Sequence, residues 1–195
     1  MMLDFQNPFQ ESFKDQDRRS KNRQVDCFKQ ALKLFEHARF SATVYHWKNA
    51  LRRRAGHLFD LNRLPASRIS NRHYAGVRAV LIEQIHGTLG RVEDFDDQFH
   101  PLDDRSRDRW VAIAVLRFQG QPLDAVKLIR VGERYFVEDG HHRISVARAL
   151  GQVAVDAEVI LWEVNGALPW QAQNAAEEVP ISLPAGSGLD SLGAR

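Results

Sequence analysis

The run "YFVEDGHHRISVARALG", Tyr135 to Gly151, gathers the residue types that do chemistry. Glu138, Asp139, Gly140, His141, His142 and Arg143 follow one another without interruption. A metal site, a catalytic histidine, a phosphate cradle and a nucleic-acid contact all use such residues. Zinc needs further ligands, and His37, His46, His57, His73, His86 and His100 show no paired spacing that would supply them. A histidine general base is chemically reasonable, but no nucleophile stands out beside it. A two-metal nuclease needs grouped carboxylates, and no such constellation is visible.

The anion cradle is the reading that uses all the residues. Asp139 is placed to cap a helix over 140–150, with Gly140 at its first position. A helix start offers unpaired N–H groups and the positive end of the macrodipole. Glycine lets a ligand approach the backbone. Arg143 can grip a phosphate with two parallel bonds, and His141 and His142 add donors. Asp139, with Glu138, could share a Mg²⁺ ion with phosphate oxygens. "HGTLGR", His86 to Arg91, reads as a glycine-rich turn that adds Gly90 and Arg91 as a second phosphate contact.

The elements that must position this cluster follow from periodicity. Ile144, Ala147 and Leu150 give the helix a core face, and Gly151 ends it. Val126–Val131 and Arg134–Glu138 read as a hairpin with Gly132 and Glu133 at its tip. "VAVDAEVILWEV" reads as a following strand. Upstream, Val77–Ile85 reads as a strand with Val80 and Ile82 on one face. Ser106 is placed to cap a helix "RDRWVAIAVLRFQ" that Gly120 and Pro122 end. Trp110 on that helix is either core or a dimer face.

The front of the chain is helical in pattern. Val25, Phe28, Leu32 and Phe35 predict a helix over 24–39, with Cys27 as packing. Ser41 caps a second helix over 41–58, with Tyr45, Leu51, Ala55 and Leu58 on one face. Pro65 and "SRISNRHYAG" break regularity. The expected division is a loose tail over 1–23, a basic helical extension over 24–68, an α+β domain over 69–165 and a disordered tail over 166–195.

Composition sets the outer limits. Hydrophobic residues at 44% and charged residues at 27% describe a packed globular chain. A single cysteine excludes a disulfide framework. No run approaches the ~18 apolar residues of a membrane span, and the start lacks a secretory order, so the expected location is the cytoplasm with no membrane partner. The net charge of +2 hides a strong asymmetry. Residues 39–78 hold nine Lys/Arg against Asp60, whereas 93–108 hold seven acids against two arginines. The basic segment, with Arg52, Arg53, Arg54 and Arg63 and interleaved Tyr45, Trp47 and Tyr74, is a candidate DNA-binding surface. Its competing role is an internal partner for the acidic stretch.

"YFVEDGHHRISVARALGQ" resembles the central motif of the ParB N-terminal/sulfiredoxin-like superfamily. "VLIEQIHGTLGR" and "LDAVKLIRVGERYFVEDG" resemble that superfamily's opening strand and its hairpin, and the likeness spans about residues 76–163. The "DGHHR" form is similar to that of uncharacterised bacterial ParB-like proteins, and also to that of the free serine kinases of this superfamily. The resemblance implies a mixed sheet with packed helices, preceded here by the helical extension. It implies a nucleotide or phosphate site at Gly140, His141, His142 and Arg143, with CTP or ATP and Mg²⁺ as ligands, and NTP hydrolysis or phosphotransfer as the activity. A DNA-binding adaptor related to partition proteins is the alternative it implies, and a homodimer is a further expected partner. Two departures narrow it. Sulfiredoxin carries a cysteine where Asp139-Gly140 stands, which argues against sulfinic-acid repair. The chain after Trp162 is too short for the helix-turn-helix and dimerising tail of a partition protein. A kinase would also need a catalytic carboxylate; Glu83 and Asp94 lie in the right region, and neither is singled out.

Overall fold

The computed structural model describes residues 8–52 and 56–171, with side chains from residue 18 onward. Nine regular elements build it. They are α1 (Pro8–Leu51), β1 (Phe59–Asp60), β2 (Ile69–Leu81), β3 (Ile85–Thr88), α2 (Arg107–Phe118), β4 (Val126–Val131), β5 (Arg134–Asp139), α3 (His141–Ala149) and β6 (Ala154–Val164).

The strands form one six-stranded mixed sheet in the order β1-β3-β5-β4-β6-β2. β4 pairs antiparallel with β5 and parallel with β6, while β3 pairs parallel with β5. The fold is α+β, with helices packed on the sheet. The central strands alternate as a two-sided sheet must. Leu128, Tyr135, Val137 and Val159 face α3 through Ile144 and Ala147. Ile129, Val131 and Phe136 face the other way, under Leu61, Leu64, Leu168 and Trp170. A separate cluster joins the helices: Ala31, Phe35 and Ala38 of α1, Trp110, Val111 and Ala114 of α2, and Val146 of α3. Trp110 is fully buried, so it is core and not a dimer face.

Several expectations are met closely. The hairpin, α2, α3 and β6 fall within a residue or two of their predicted bounds. Gly132 opens the two-residue hairpin loop at φ 59°, a conformation glycine adopts freely. Val80 and Ile82 are both buried.

Others are corrected. α1 is one helix of 44 residues, not two. Ser41 lies within it and caps nothing, and Pro8 to Arg23 belong to it rather than to a loose tail. Its inner face is Cys27, Ala31, Phe35, Ala38 and Ala42, whereas Val25 and Phe28 are about half exposed. Small residues let α1 lie close on α2, and the spacing of the large residues was misleading for that reason. Leu51 is exposed and Leu58 lies beyond the helix, so the proposed second face is not formed; Ala55 lies outside the described residues. The "SRISNRHYAG" stretch is mostly β2, an edge strand whose pairing with β6 shifts register between Tyr74 and Val77. The predicted strand Val77–Ile85 is divided by a 3-10 turn over Ile82–Gln84. Ser106 stands at the start of α2 without making a side-chain cap bond. Leu168 and Trp170 are buried in the core, so the expected C-terminal tail does not begin at 166. Its remainder, 172–195, lies outside the described residues.

Gly87 in β3 fits because it has no side chain. A Cβ there would stand 2.3 Å from the Phe59 carbonyl oxygen and 2.7 Å from the Phe136 ring. Backbone cannot rotate aside as a flexible side chain can. Gly87→Ala is expected to destabilise the protein by about 2–3 kcal/mol, read as a lower urea midpoint at unchanged m-value.

Candidate functional site

The start of α3 is set by Gly140, not by Asp139. Gly140 occupies the cap position at φ 97° and ψ 20°, in the left-handed region. A Cβ there would come within 2.6 Å of Val126 Cγ1. Asp139 is instead the last residue of β5 and makes no cap bond. The first helical hydrogen bond runs from Ile144 N–H to Gly140 O at 3.0 Å. The N–H groups of His141, His142 and Arg143 therefore precede the helical ladder.

Arg143 is used differently from the predicted phosphate fork. One terminal nitrogen donates to the carbonyls of Asp124 (2.8 Å) and Ala125 (2.9 Å). The other donates to Asp139 Oδ2 at 2.7 Å. The guanidinium thus ties α3 to the end of β5 and to the segment entering β4. The same contact occupies one oxygen of the carboxylate expected to hold Mg²⁺. Among the described residues no group of three or more His, Cys, Asp or Glu is arranged to hold a metal. Glu138, the residue before Asp139 at the end of β5, is exposed.

His141 and His142 are both buried, with 4% and 6% of their surface exposed. His141 Nε2 lies 2.6 Å from Thr88 Oγ1 at the end of β3. Thr88 Oγ1 also accepts the Arg91 backbone N–H at 3.3 Å, which fixes the turn holding Gly90 and Arg91. Phe95 stacks on the His141 ring at an interplanar angle of 17° and meets His142 edge-on. His142 Nδ1 is buried with no hydrogen-bond partner.

Burial pushes both imidazoles down to about 4. The Arg91 and Arg109 guanidinium groups contribute to that lowering. Both rings are therefore neutral near pH 7, in a locally positive environment. Arg91 from the turn after β3, Arg109 and Ile113 from α2, and Asp139 to Arg143 line one small cleft. Arg91 is half exposed and lies 3.4 Å from Asp94 Oδ2. Arg109 is exposed, and no side-chain hydrogen bond or ion pair of it is seen among the described residues.

The structure thus brings Arg91, Gly140, His141, His142 and Arg143 together, with Gly90 next to Arg91 in chain. Thr88 and Arg109 were not foreseen. Arg109 had a faint signal, as a cation beside a tryptophan at a helix start; Thr88 had none. Of the DNA-binding candidates, Arg52 and Arg63 are exposed and remote in sequence from this cleft, and Arg53 and Arg54 lie outside the described residues. The acidic stretch does meet α1. Arg39 pairs with Asp104 at 3.5 Å, and Tyr45 Oη donates to Asp97 Oδ2 at 3.1 Å. Asp96 is wholly buried and accepts from His100 Nδ1 at 2.8 Å.

No family model matches the chain, and no curated protein matches it. Among solved structures it is similar to sulfiredoxin from Arabidopsis thaliana, at 14% identity and a TM-score of 0.33. That match covers 53% of this chain and 98% of the sulfiredoxin chain. At this level the likeness says nothing about the chemistry of the cleft. No helix among the described residues is long and apolar enough to cross a membrane.

Folding keeps both histidines neutral, whereas the unfolded chain protonates them near the usual 6.5. The unfolded state then binds more protons between about pH 6.5 and 4. Stability from this pair is complete above 6.5 and is lost as pH falls through that window, at up to about 1.4 kcal/mol per pH unit for each ring. Urea melts at pH 7.5, 6 and 5 should show the decline, and a His141→Asn/His142→Gln variant should flatten it. Arg143→Ala should lower stability by roughly 1–2 kcal/mol, because it removes the donor of two carbonyls and a carboxylate that water replaces only in part. Thermal and urea unfolding without any ligand measure that loss.

Proposed function

We propose that the protein binds a phosphate-bearing small molecule, with a nucleotide such as CTP or ATP as the first candidate, at the start of α3. The observation that carries this reading is the buried, unpartnered His142 Nδ1 beside the open N–H groups of α3. Arg91 and Arg109 line the same cleft. A neutral imidazole in its Nδ1–H tautomer donates one bond to a phosphate oxygen without any charge of its own. The two arginines supply the charge, and the helix start supplies oriented N–H donors. Arg143 holds the helix in place, so its role is positioning.

Magnesium carried in by such a ligand would be held mainly by phosphate oxygens, since Asp139 is tied to Arg143. His141 is engaged by Thr88 and neutral, and among the described residues the cleft lining holds no hydroxyl or thiol and only the Asp139 carboxylate, which is paired with Arg143. Binding, with any hydrolysis or phosphotransfer slow, is the reading that fits these groups. The DNA-adaptor alternative loses part of its basic surface to the internal Arg39–Asp104 pairing.

Calorimetry and thermal shift with ATP, CTP, GTP, ADP and pyrophosphate, with and without Mg²⁺, test the proposal. A ligand at ~100 times its Kd should stabilise the fold by about 2.7 kcal/mol. Arg91→Ala and Arg109→Ala should each weaken binding by roughly tenfold or more, and Arg52→Ala should leave it unchanged. Silence with every ligand, or full binding by the Arg91→Ala/Arg109→Ala double variant, would overturn it. Steeply salt-dependent binding of duplex DNA that needs Arg52 and Arg63 but not Arg91 would favour the DNA adaptor instead.

A further inference from the structure

α1 is apolar on two opposite faces, and the other described residues cover one of them. Cys27, Ala31, Phe35, Ala38 and Ala42 are buried toward the body of the protein. On the far side stand Phe40, Val44, Trp47 and Leu51. Phe40 is 67%, Trp47 70% and Leu51 77% exposed. At ~100° per residue, Val44 lies about 200° around the helix from Ala42, so the two faces are nearly opposed. A surface helix normally needs one apolar stripe, and a second one marks a second partner.

We infer that this outer stripe pairs with the same stripe of a second copy of the chain, the two α1 helices running antiparallel. The spacing of the stripe is four, three, four, which is the alternation of a coiled-coil seam. Antiparallel pairing centred between Tyr45 and His46 sets Phe40 against Leu51 and Val44 against Trp47. Large then meets small at each inner level, as a packed core requires. Parallel pairing would set Trp47 against Trp47 and leave Val44 facing Val44 beside it.

Charge is compatible with self-pairing. Ser41, Thr43, Lys48 and Ala50 flank the seam. In the antiparallel register Lys48 lies near Thr43 of the other copy, so no like charges meet there. Beside the stripe, a mostly apolar groove of about 320 Å³ runs along Phe40, Ser41, Val44 and Tyr45 and is closed by His100. It can take the edge of the partner's Trp47. Phe40, Trp47 and Leu51 together present on the order of 400 Å² of apolar surface, about half of the ~800 Å² per partner in a standard interface. That is the share expected of an interface centre, with Val44, the groove and polar neighbours as the remainder.

Sedimentation of the full chain between about 1 and 100 μM reads the outcome. The wild type should approach twice its 22.3 kDa chain mass as concentration rises. Phe40→Ser/Trp47→Glu should stay monomeric with unchanged circular dichroism and unfolding, because both positions are exposed in the single chain. Under mild oxidation, a mixture of Phe40→Cys and Leu51→Cys chains should form a mixed disulfide at least tenfold faster than Phe40→Cys alone. The two copies of residue 40 would lie about 16 Å apart along the helices. A wild type that remains monomeric at 100 μM overturns the inference, whether or not it binds lipid vesicles or another protein. Equal cross-linking of Phe40→Cys alone overturns the antiparallel register. Dimerisation that survives Phe40→Ser/Trp47→Glu also overturns it.

Discussion

The structure depends on where the guanidinium of Arg143 sits. It is on the first turn of α3, yet its side-chain hydrogen bonds go outside the helix. It reaches Asp139 at the end of β5 and the carbonyls of Asp124 and Ala125 just before β4. β4 and β5 are the two centre strands of the sheet. One side chain therefore satisfies the carbonyls of the chain entering β4 and locks α3 over the strand ends. Gly140 makes the lock possible. Its left-handed backbone turns the chain sharply from β5 into α3, and Val126 leaves no space for a side chain there. The opening of a helix is usually a frayed, water-facing place. Here it is held from two sides.

The helical layer builds outward from that helix. Trp110 Nε1 donates to Ser145 Oγ at 2.8 Å, so α2 is registered on α3 by a buried hydrogen bond as well as by packing. Phe35 of α1 then meets the Trp110 ring edge-on at 5.4 Å. This chain of contacts explains why Arg109, next to Trp110, arrives at the cleft. The acidic loop closes the other side. Asp96 accepts the backbone N–H groups of Gln98 and His100 and the His100 ring, and so turns Phe95 and Phe99 inward. Phe95 lands on His141. What reads as a negative surface patch contains a buried carboxylate that shapes the loop.

The parts legible in the sequence were those whose local rules agree with the final packing. The β4–β5 hairpin alternates cleanly around Gly132, and α2 and α3 each end at a glycine. The core faces of α3 and β6 follow their own periods. α1 and β2 were misread for physical reasons. Ser41 and Thr43 have the side chains of helix caps, but Thr43 Oγ1 bonds back to the Arg39 carbonyl at 3.3 Å within the helix. β2 is an edge strand with one side open to solvent, so "SNRH" can be polar throughout and still pair. The motif at 139–143 marked the right place. The roles within it were not legible, because Arg143's partners Asp124 and Ala125 lie 19 and 18 residues away in sequence and are backbone oxygens. Arg109 and Thr88 enter only through tertiary packing.

Two neutral histidines beside two arginines form a consistent arrangement. A charged imidazole at either position would be buried next to like charge, and the same burial that displaces water keeps both rings uncharged. The positive potential at the cleft then comes from the Arg91 and Arg109 side chains that line it. His141 spends its Nε2 on Thr88, which holds the Arg91 turn, so that ring supports the site. His142 is left with a polar nitrogen that the fold does not use. Leaving a buried polar atom without a partner costs about 1–3 kcal/mol. Among the buried side-chain atoms without a hydrogen-bond partner in the described residues, the others being His46 Nε2, Asp97 Oδ1 and Ser106 Oγ, His142 Nδ1 is the one whose residue lines the cleft with Arg91 and Arg109.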